Sequence, residues 1–229
     1  MATAEVLASV DIVALRLSEA GRLELLLIRR AQAPFEGQWA LPGVLVNGRC
    51  ADPSLDSAAQ RALDEKARVC PQHLEQVATV GNAARDPRGW SLSAFYLALL
   101  PPQVPLEGDD LRFVDLDEVL GERFPLPFDH VQLVAQARER LAGKSVYTSL
   151  PLALLAPRFT VTEALAAFQA CLGQAVQHTT LRGRLEKMKQ QAWIVETGER
   201  NYPKMGRPQN LLERRKSGDT YVFDRSVLS

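Results

Sequence analysis

Positions 5–17 are rich in Val, Leu and Ile, interrupted by Ser9, Asp11 and Arg16 after Glu5, and read as a largely buried strand. A turn at 18–21 and a second strand at 22–29 complete an expected antiparallel pair. Over 55–67 the period changes. Apolar residues fall at 55, 58, 59, 62 and 63, the i, i+3, i+4, i+7, i+8 stripe of an amphipathic helix, with Ser54 as N-cap behind Pro53. Residues 90–100 predict a third strong strand. Residues 101–127 read as loop-rich, with an acidic patch at Asp109, Asp110, Asp115, Asp117 and Glu118. Asp129 is expected to cap a helix reaching about Leu141, with Gly143 closing it. Strands and helices mixed in this order predict an α/β (α+β) body.

The pattern shifts beyond about Lys144. Thr160-Val161-Thr162-Glu163 is a capping box, with Thr160 as N-cap. It opens a helix carrying Leu165, Phe168 and Leu172 that stops at Gly173. A second helix is expected from about His178 to Gln191, on an apolar stripe of Leu181, Leu185 and Met188. Trp193–Glu196 predicts a short strand, 197–208 a polar basic loop, and Asn210–Arg214 the returning strand. Helix, short turn, helix and basic hairpin is the pattern of a winged helix-turn-helix. The expected organisation is a first domain over 1–143, a linker over 144–157 and a second domain over 158–229.

Composition changes this picture little: 46% hydrophobic and 24% charged residues are ordinary for a globular chain. No stretch approaches the roughly 20 apolar residues of a membrane span, so no membrane partner is expected. Met1–Val10 holds no Lys or Arg, unlike the basic start of a signal peptide. Cys50, Cys70 and Cys171 lack metal-ligand spacing and fit small packing residues in a reducing, cytoplasmic setting. Charge is more informative. From Arg158 onward there are 12 Lys/Arg against 7 Asp/Glu, a net +5, which leaves −5 for the rest of a formally neutral chain. A basic second domain on an acidic body points weakly to a polyanionic partner.

Chemistry concentrates in two segments. The run Pro34-Phe35-Glu36-Gly37-Gln38-Trp39-Ala40-Leu41-Pro42-Gly43, followed by a helix with Arg61-Ala62-Leu63-Asp64-Glu65, resembles the Nudix hydrolases over about the first 140 residues. In that family carboxylates on one helix face hold divalent metals, which polarise a diphosphate and activate water. Arg61 stands at the family's Arg, Leu63 and Val69 at its apolar positions, and Glu65 at one Glu. Ala62 and Lys66 replace two other Glu residues, Pro53 stands at the upstream Glu beside Asp52, and Arg68 replaces the Gly. A hard divalent ion needs several oxygen ligands, and a lysine at its site repels it. The expectation is therefore a retained fold, no catalytic residues and no metal. The plain alternative for Glu65 is an i, i+4 ion pair with Arg61.

Arg85-Asp86-Pro87-Arg88-Gly89-Trp90 resembles the segment found in Nudix domains that recognise ADP-ribose. Two guanidiniums around a proline turn could grip a diphosphate, with Asp86 between them. Arg29 and Arg30 could add positive charge, and Phe35 and Trp39 flat faces for a base. Core packing is the alternative for both aromatics, and a solvated turn for Arg85 and Arg88.

A degraded Nudix helix, Arg-Asp-Pro-Arg-Gly, and a late Gly206-Arg207-Pro208, together with 147–151 and 154–163, resemble the Nudix-related transcriptional regulators of NAD metabolism, the NrtR family. The resemblance runs nearly end to end, though Leu211-Leu212 stands where an aromatic is expected. It implies a cytoplasmic bacterial homodimer, nucleoid-associated when bound to DNA. Such a dimer represses genes of NAD synthesis or salvage, with ADP-ribose as effector and no cofactor. On the second helix, Thr179, Thr180 and Arg182 are placed to reach base edges. Arg184, Lys187 and Lys189 suit phosphates or solvent. Thr160 and Thr162 at the first helix, and Arg200, Tyr202, Lys204 and Arg207 on the wing, complete the expected DNA face. Two other readings stay open. One is an active ADP-ribose or sugar-nucleotide pyrophosphatase that rebuilds a metal site from Asp52, Asp64 and Glu65. The other is a helix-turn-helix-like module that binds protein.

Overall fold

The computed structural model describes residues 5–49, 51–202, 207–215, 219–224 and 226–227. The chain divides into two compact units, Met1–Arg16 with Leu23–Ala137, and Leu17–Arg22 with Arg138–Ser229. Its elements begin with strands β1 (Leu7–Leu17), β2 (Leu23–Arg29), β3 (Trp39–Ala40) and β4 (Gly43–Leu45), then helix α1 (Leu55–Ala62). There follow β5 (His73–Asn82), β6 (Ser91–Leu99), β7 (Leu111–Asp115), α2 (Leu116–Leu120) and α3 (His130–Ser145). The chain continues with β8 (Arg158–Phe159), α4 (Val161–Leu172), α5 (His178–Gln190), β9 (Ile194–Asn201) and β10 (Gln209–Arg214).

The first unit is built on a seven-stranded mixed sheet in the order β3-β2-β1-β6-β5, with β4 also on β1 and β7 also on β2. β1 runs parallel to β6, Leu7–Leu15 beside Ser91–Leu99, while β6 pairs antiparallel with β5. Side chains two apart on a strand share a face. Val10, Ile12 and Ala14 of β1 therefore join Ala94, Tyr96 and Ala98 of β6 in one core, closed by Ala58, Ala59, Ala62 and Leu63. Val13 and Leu15 of β1 and Phe95 and Leu97 of β6 are fully buried as well. Burial on both faces explains why β1 shows no polar alternation.

Several expectations are corrected. The single helix expected over 55–67 is α-helical to Ala62 and then opens into a π-helical turn, Leu63–Ala67, ending at Arg68 with φ 53°. Strands β5 and β7 went unpredicted, and β7 lies inside the segment expected to be loop. The helix expected to stop at Gly143 continues to Ser145.

In the second unit α4 and α5 stand beside a three-stranded sheet in the order β8-β10-β9. Thr160 caps α4 through a full capping box with Glu163, and Gly173 ends the helix at φ 69°. Residues 144–157, expected as a linker, hold a 3-10 turn at Leu150–Leu154, with Leu150, Leu152, Leu154 and Leu155 buried. Cys171 is buried, which pushes its thiol up to about 12, and Cys70 is exposed; Cys50 lies outside the described residues. Among the described residues no helix is long and apolar enough to cross a membrane.

Candidate functional site

A cavity of about 660 Å³ opens in the first unit. Arg29 and Arg30 reach it from the end of β2, Glu65 from the π-helical turn, and Arg85, Asp86 and Arg88 from the β5–β6 connection. Six of the eight residues proposed from the sequence thus converge on one space. Phe35 and Trp39 are absent from its wall. Phe35 lies edge-on to Phe128 with ring centroids 4.8 Å apart, and Trp39 stacks beside the guanidinium of Arg112 at 5.2 Å. The aromatic on the wall is Phe128, which also carries the Arg30 guanidinium 4.9 Å over its ring. Phe35 and Phe128 have φ of 62° and 58°, a left-handed conformation that costs a bulky residue energy.

Arg85 does not have the role expected of it. It is buried, and its Nε and Nη2 donate to the two carboxylate oxygens of Asp129 at 3.0 and 3.1 Å. Nη2 also reaches Asp11 at 3.3 Å, and Ser93 donates to the same Asp11 oxygen at 2.6 Å. A guanidinium so neutralised holds the wall together and has little left for a ligand. His130 completes the cluster. Its Nδ1 accepts the Leu41 N–H at 3.1 Å, which leaves the proton on Nε2, 3.8 Å from Asp11. Burial pushes its pKa down, so the ring is neutral. Gly43 lets the chain pass: a Cβ there would lie 2.4 Å from Asp11 Oδ1 and 2.9 Å from the Val10 carbonyl.

Arg88, unlike Arg85, is exposed. Its Nε and Nη2 donate to Asp86 at 3.0 and 2.7 Å, and that pairing holds the Asp86 carboxyl below its usual range. Sequence reasoning missed Asp11, Asp129 and His130. Asp11 left a trace, as the single carboxylate in a mostly apolar strand.

The positions at which the resemblance implies a metal hold a donor set already committed to other partners. Asp52 is buried and accepts from Arg61 Nε and Nη2 at 2.8 and 2.7 Å, and from the Asn47 N–H at 2.6 Å. Its hydrogen bonds to Arg61 and then to Asn47 hold the carboxyl down to about 2. Glu65 pairs with Arg61 at 3.4 Å, and Asp64 accepts from Gln60 and is off the cavity wall. Lys66 is on that wall. These residues do not fit a divalent ion, because the deepest carboxylate already belongs to a guanidinium and a cation lines the space.

In the second unit Thr162, Thr179, Arg182, Lys187, Arg200 and Arg207 are exposed, and Thr180 is half-buried. Thr162 and Arg182 line one groove with His178 and Asn210, between the α4 N-terminus, α5 and β10. Lys204 and Gly206 lie outside the described residues. Two expected DNA contacts are corrected. Thr160 is buried, and its hydroxyl is engaged with Glu163 in the cap. Arg184 is buried, donates to the Val146 carbonyl at 2.7 Å and lies 4.2 Å over the Phe223 ring. Burial lowers its pKa to about 10. It faces the interior because the apolar stripe of α5 passes through 181, 184, 185 and 188.

Sheet, helix and cavity in one unit, and two helices with a hairpin in the other, define a Nudix-type protein with an added helix-turn-helix unit. Residues 7–137 match the NUDIX domain family. Over 169 residues the chain is 39% identical to the ADPR responsive transcriptional repressor NtrR of Acinetobacter baylyi, covering 72% of this chain. The match takes in 66% of that repressor, so the chain spans just under two thirds of this curated relative. The crystal structure of Shewanella oneidensis NrtR complexed with a 27mer DNA superposes with a TM-score of 0.83 at 35% identity, covering 96% of this chain and 98% of that one. The NUDIX domain of the same NrtR, complexed with ADP ribose, gives 0.54 at 40% identity over 61% of this chain and 90% of that one. The chain belongs to the NUDIX domain family and, within it, to the NrtR group.

Proposed function

We propose that this chain is an ADP-ribose-responsive transcriptional repressor of NAD synthesis or salvage genes, acting as a homodimer on a two-fold symmetric operator. The observation that carries the reading is one cavity lined by Arg29, Arg30, Asp86 and Arg88 in the same chain as an exposed helix-turn-helix face with Thr179 and Arg182. The likeness to an NrtR crystallised with DNA, and to a NUDIX domain crystallised with ADP ribose, supports both halves. The ligand is held and not consumed, since Pro53, Ala62 and Lys66 stand at carboxylate positions of the hydrolase signature. Ligand binding lowers operator affinity, and linkage requires DNA to weaken ligand binding by the same factor.

A mobility shift of the full chain on its own upstream DNA, with and without ADP-ribose, tests the reading. The expected result is a shifted band that ADP-ribose releases, by a coupling of about 1–3 kcal/mol. In parallel, no ADP-ribose turnover is expected with Mg²⁺ or Mn²⁺. Hydrolysis at about 1 s⁻¹ or faster would return the pyrophosphatase reading to first place.

A further inference from the structure

The cations around the cavity fall into two groups. Arg61, Arg85 and Arg88 are each neutralised by carboxylates, respectively Asp52 with Glu65, Asp129 with Asp11, and Asp86. Arg29, Arg30 and Lys66 line the same space and form no ion pair with any described residue. The side chains of Arg29 and Arg30 donate only to backbone carbonyls, at Gly37 for the first and at Pro34 and Gln32 for the second. Burial and the neighbouring Arg88 hold Arg30 below its usual pKa, although Asp11 and Asp86 act in the opposite sense. Arg29 and Lys66 are exposed and Arg30 is half-buried, so all three cations stay open to an anion that enters the cavity.

We infer that Arg29, Arg30 and Lys66 hold the diphosphate of the ligand directly, so that nucleotide binding needs no divalent ion. Lys66 is central. It stands at a signature position where the hydrolase helix carries a metal-holding carboxylate, and it is one of the residues that line the cavity. A point charge on a flexible stem can approach phosphate oxygens as a metal ion would. Arg61 cannot replace it, because its guanidinium is committed to Asp52 on two nitrogens.

The inference rests on the proposed function, and its test separates the two. The full chain is titrated by calorimetry with ADP-ribose and, separately, with inorganic pyrophosphate, each in excess EDTA and in millimolar Mg²⁺. Wild type is expected to bind ADP-ribose equally well in both buffers and pyrophosphate more weakly, also without metal. Lys66→Ala is expected to lose roughly tenfold or more in EDTA, the loss of one charged hydrogen bond. Lys66→Glu is expected to bind poorly in EDTA and to recover at least part of its affinity with Mg²⁺. Lys66 is exposed, so both variants are expected to melt with wild type. Wild-type binding that appears only with Mg²⁺ overturns the inference, as does a Lys66→Ala protein with unchanged affinity. Metal-free binding of pyrophosphate without binding of ADP-ribose upholds the cation site and overturns the proposed effector. Failure of both probes in both buffers overturns both.

Discussion

Single residues in this cavity wall are constrained by backbone as much as by charge. Gly43 is the clearest case, since an added Cβ meets both the Asp11 carboxylate and the Val10 carbonyl. Gly43→Ala is expected to cost about 1–3 kcal/mol, the usual range for overpacking, read as a lower melting temperature. Asp52 offers a test by pH. Its folded pKa is about 2, below the roughly 3.9 of an unfolded aspartate, so the unfolded chain binds the proton first as pH falls. The stabilisation is therefore present above about 3.9 and lost as pH drops toward 2. The stability gap between wild type and Asp52→Asn should be constant from neutral pH to mild acid and close toward pH 2. A gap that persists unchanged below pH 2 would show that the ionised carboxylate is not its source. At this scale the sequence disclosed which residues gather and not what they do. Arg85 was legible as a motif residue, but its partners Asp11 and Asp129 lie 74 and 44 positions away. Nothing in the local sequence says that its charge is already neutralised.

Elements sort their residues by face, and α5 shows this within three positions. Arg182 is exposed on the groove, and Arg184 is buried beneath Phe223. The two arginines should therefore fail differently. Arg182→Ala is expected to weaken operator binding by about 1–3 kcal/mol with an unchanged melting temperature. Arg184→Ala is expected to lower stability by about 1–3 kcal/mol through the lost Val146 hydrogen bond and ring contact. The reverse pattern in a melt and a mobility shift would exchange their assignments. In α4, Thr160→Ala should cost about 1 kcal/mol in the same melt, because the cap satisfies N–H groups that the helix leaves open. The cap of α4, and the periods and ends of α4 and α5, were readable because those signals are local. The π-helical turn at 63–67 was not, since its side-chain spacing passes for one more α-turn. β5 and β7 were missed because an edge strand with half-buried faces carries weak alternation, and β7 owes its conformation to pairing with β2.

On the scale of the whole chain, positive charge gathers in the last third of the sequence. The residues from Arg158 onward carry a net +5. Operator binding should therefore weaken steeply with salt, by roughly 10³-fold between about 50 and 200 mM if about six phosphates are engaged. Salt-insensitive binding would favour a protein partner for this unit. ADP-ribose at a hundred times its dissociation constant should stabilise the protein that binds it by about 2.7 kcal/mol, visible as a higher melting temperature.

Phe35 and Phe128 meet edge to face, each in a backbone conformation that neither would choose alone. One stands between β2 and β3, the other between α2 and α3, so each connection serves as the other's template. A residue gained or lost in either would slide its ring off the partner and leave the strain uncompensated. These two connections should therefore be inherited as a matched pair: where descendants of this sequence differ in the length of one, the other should have changed with it.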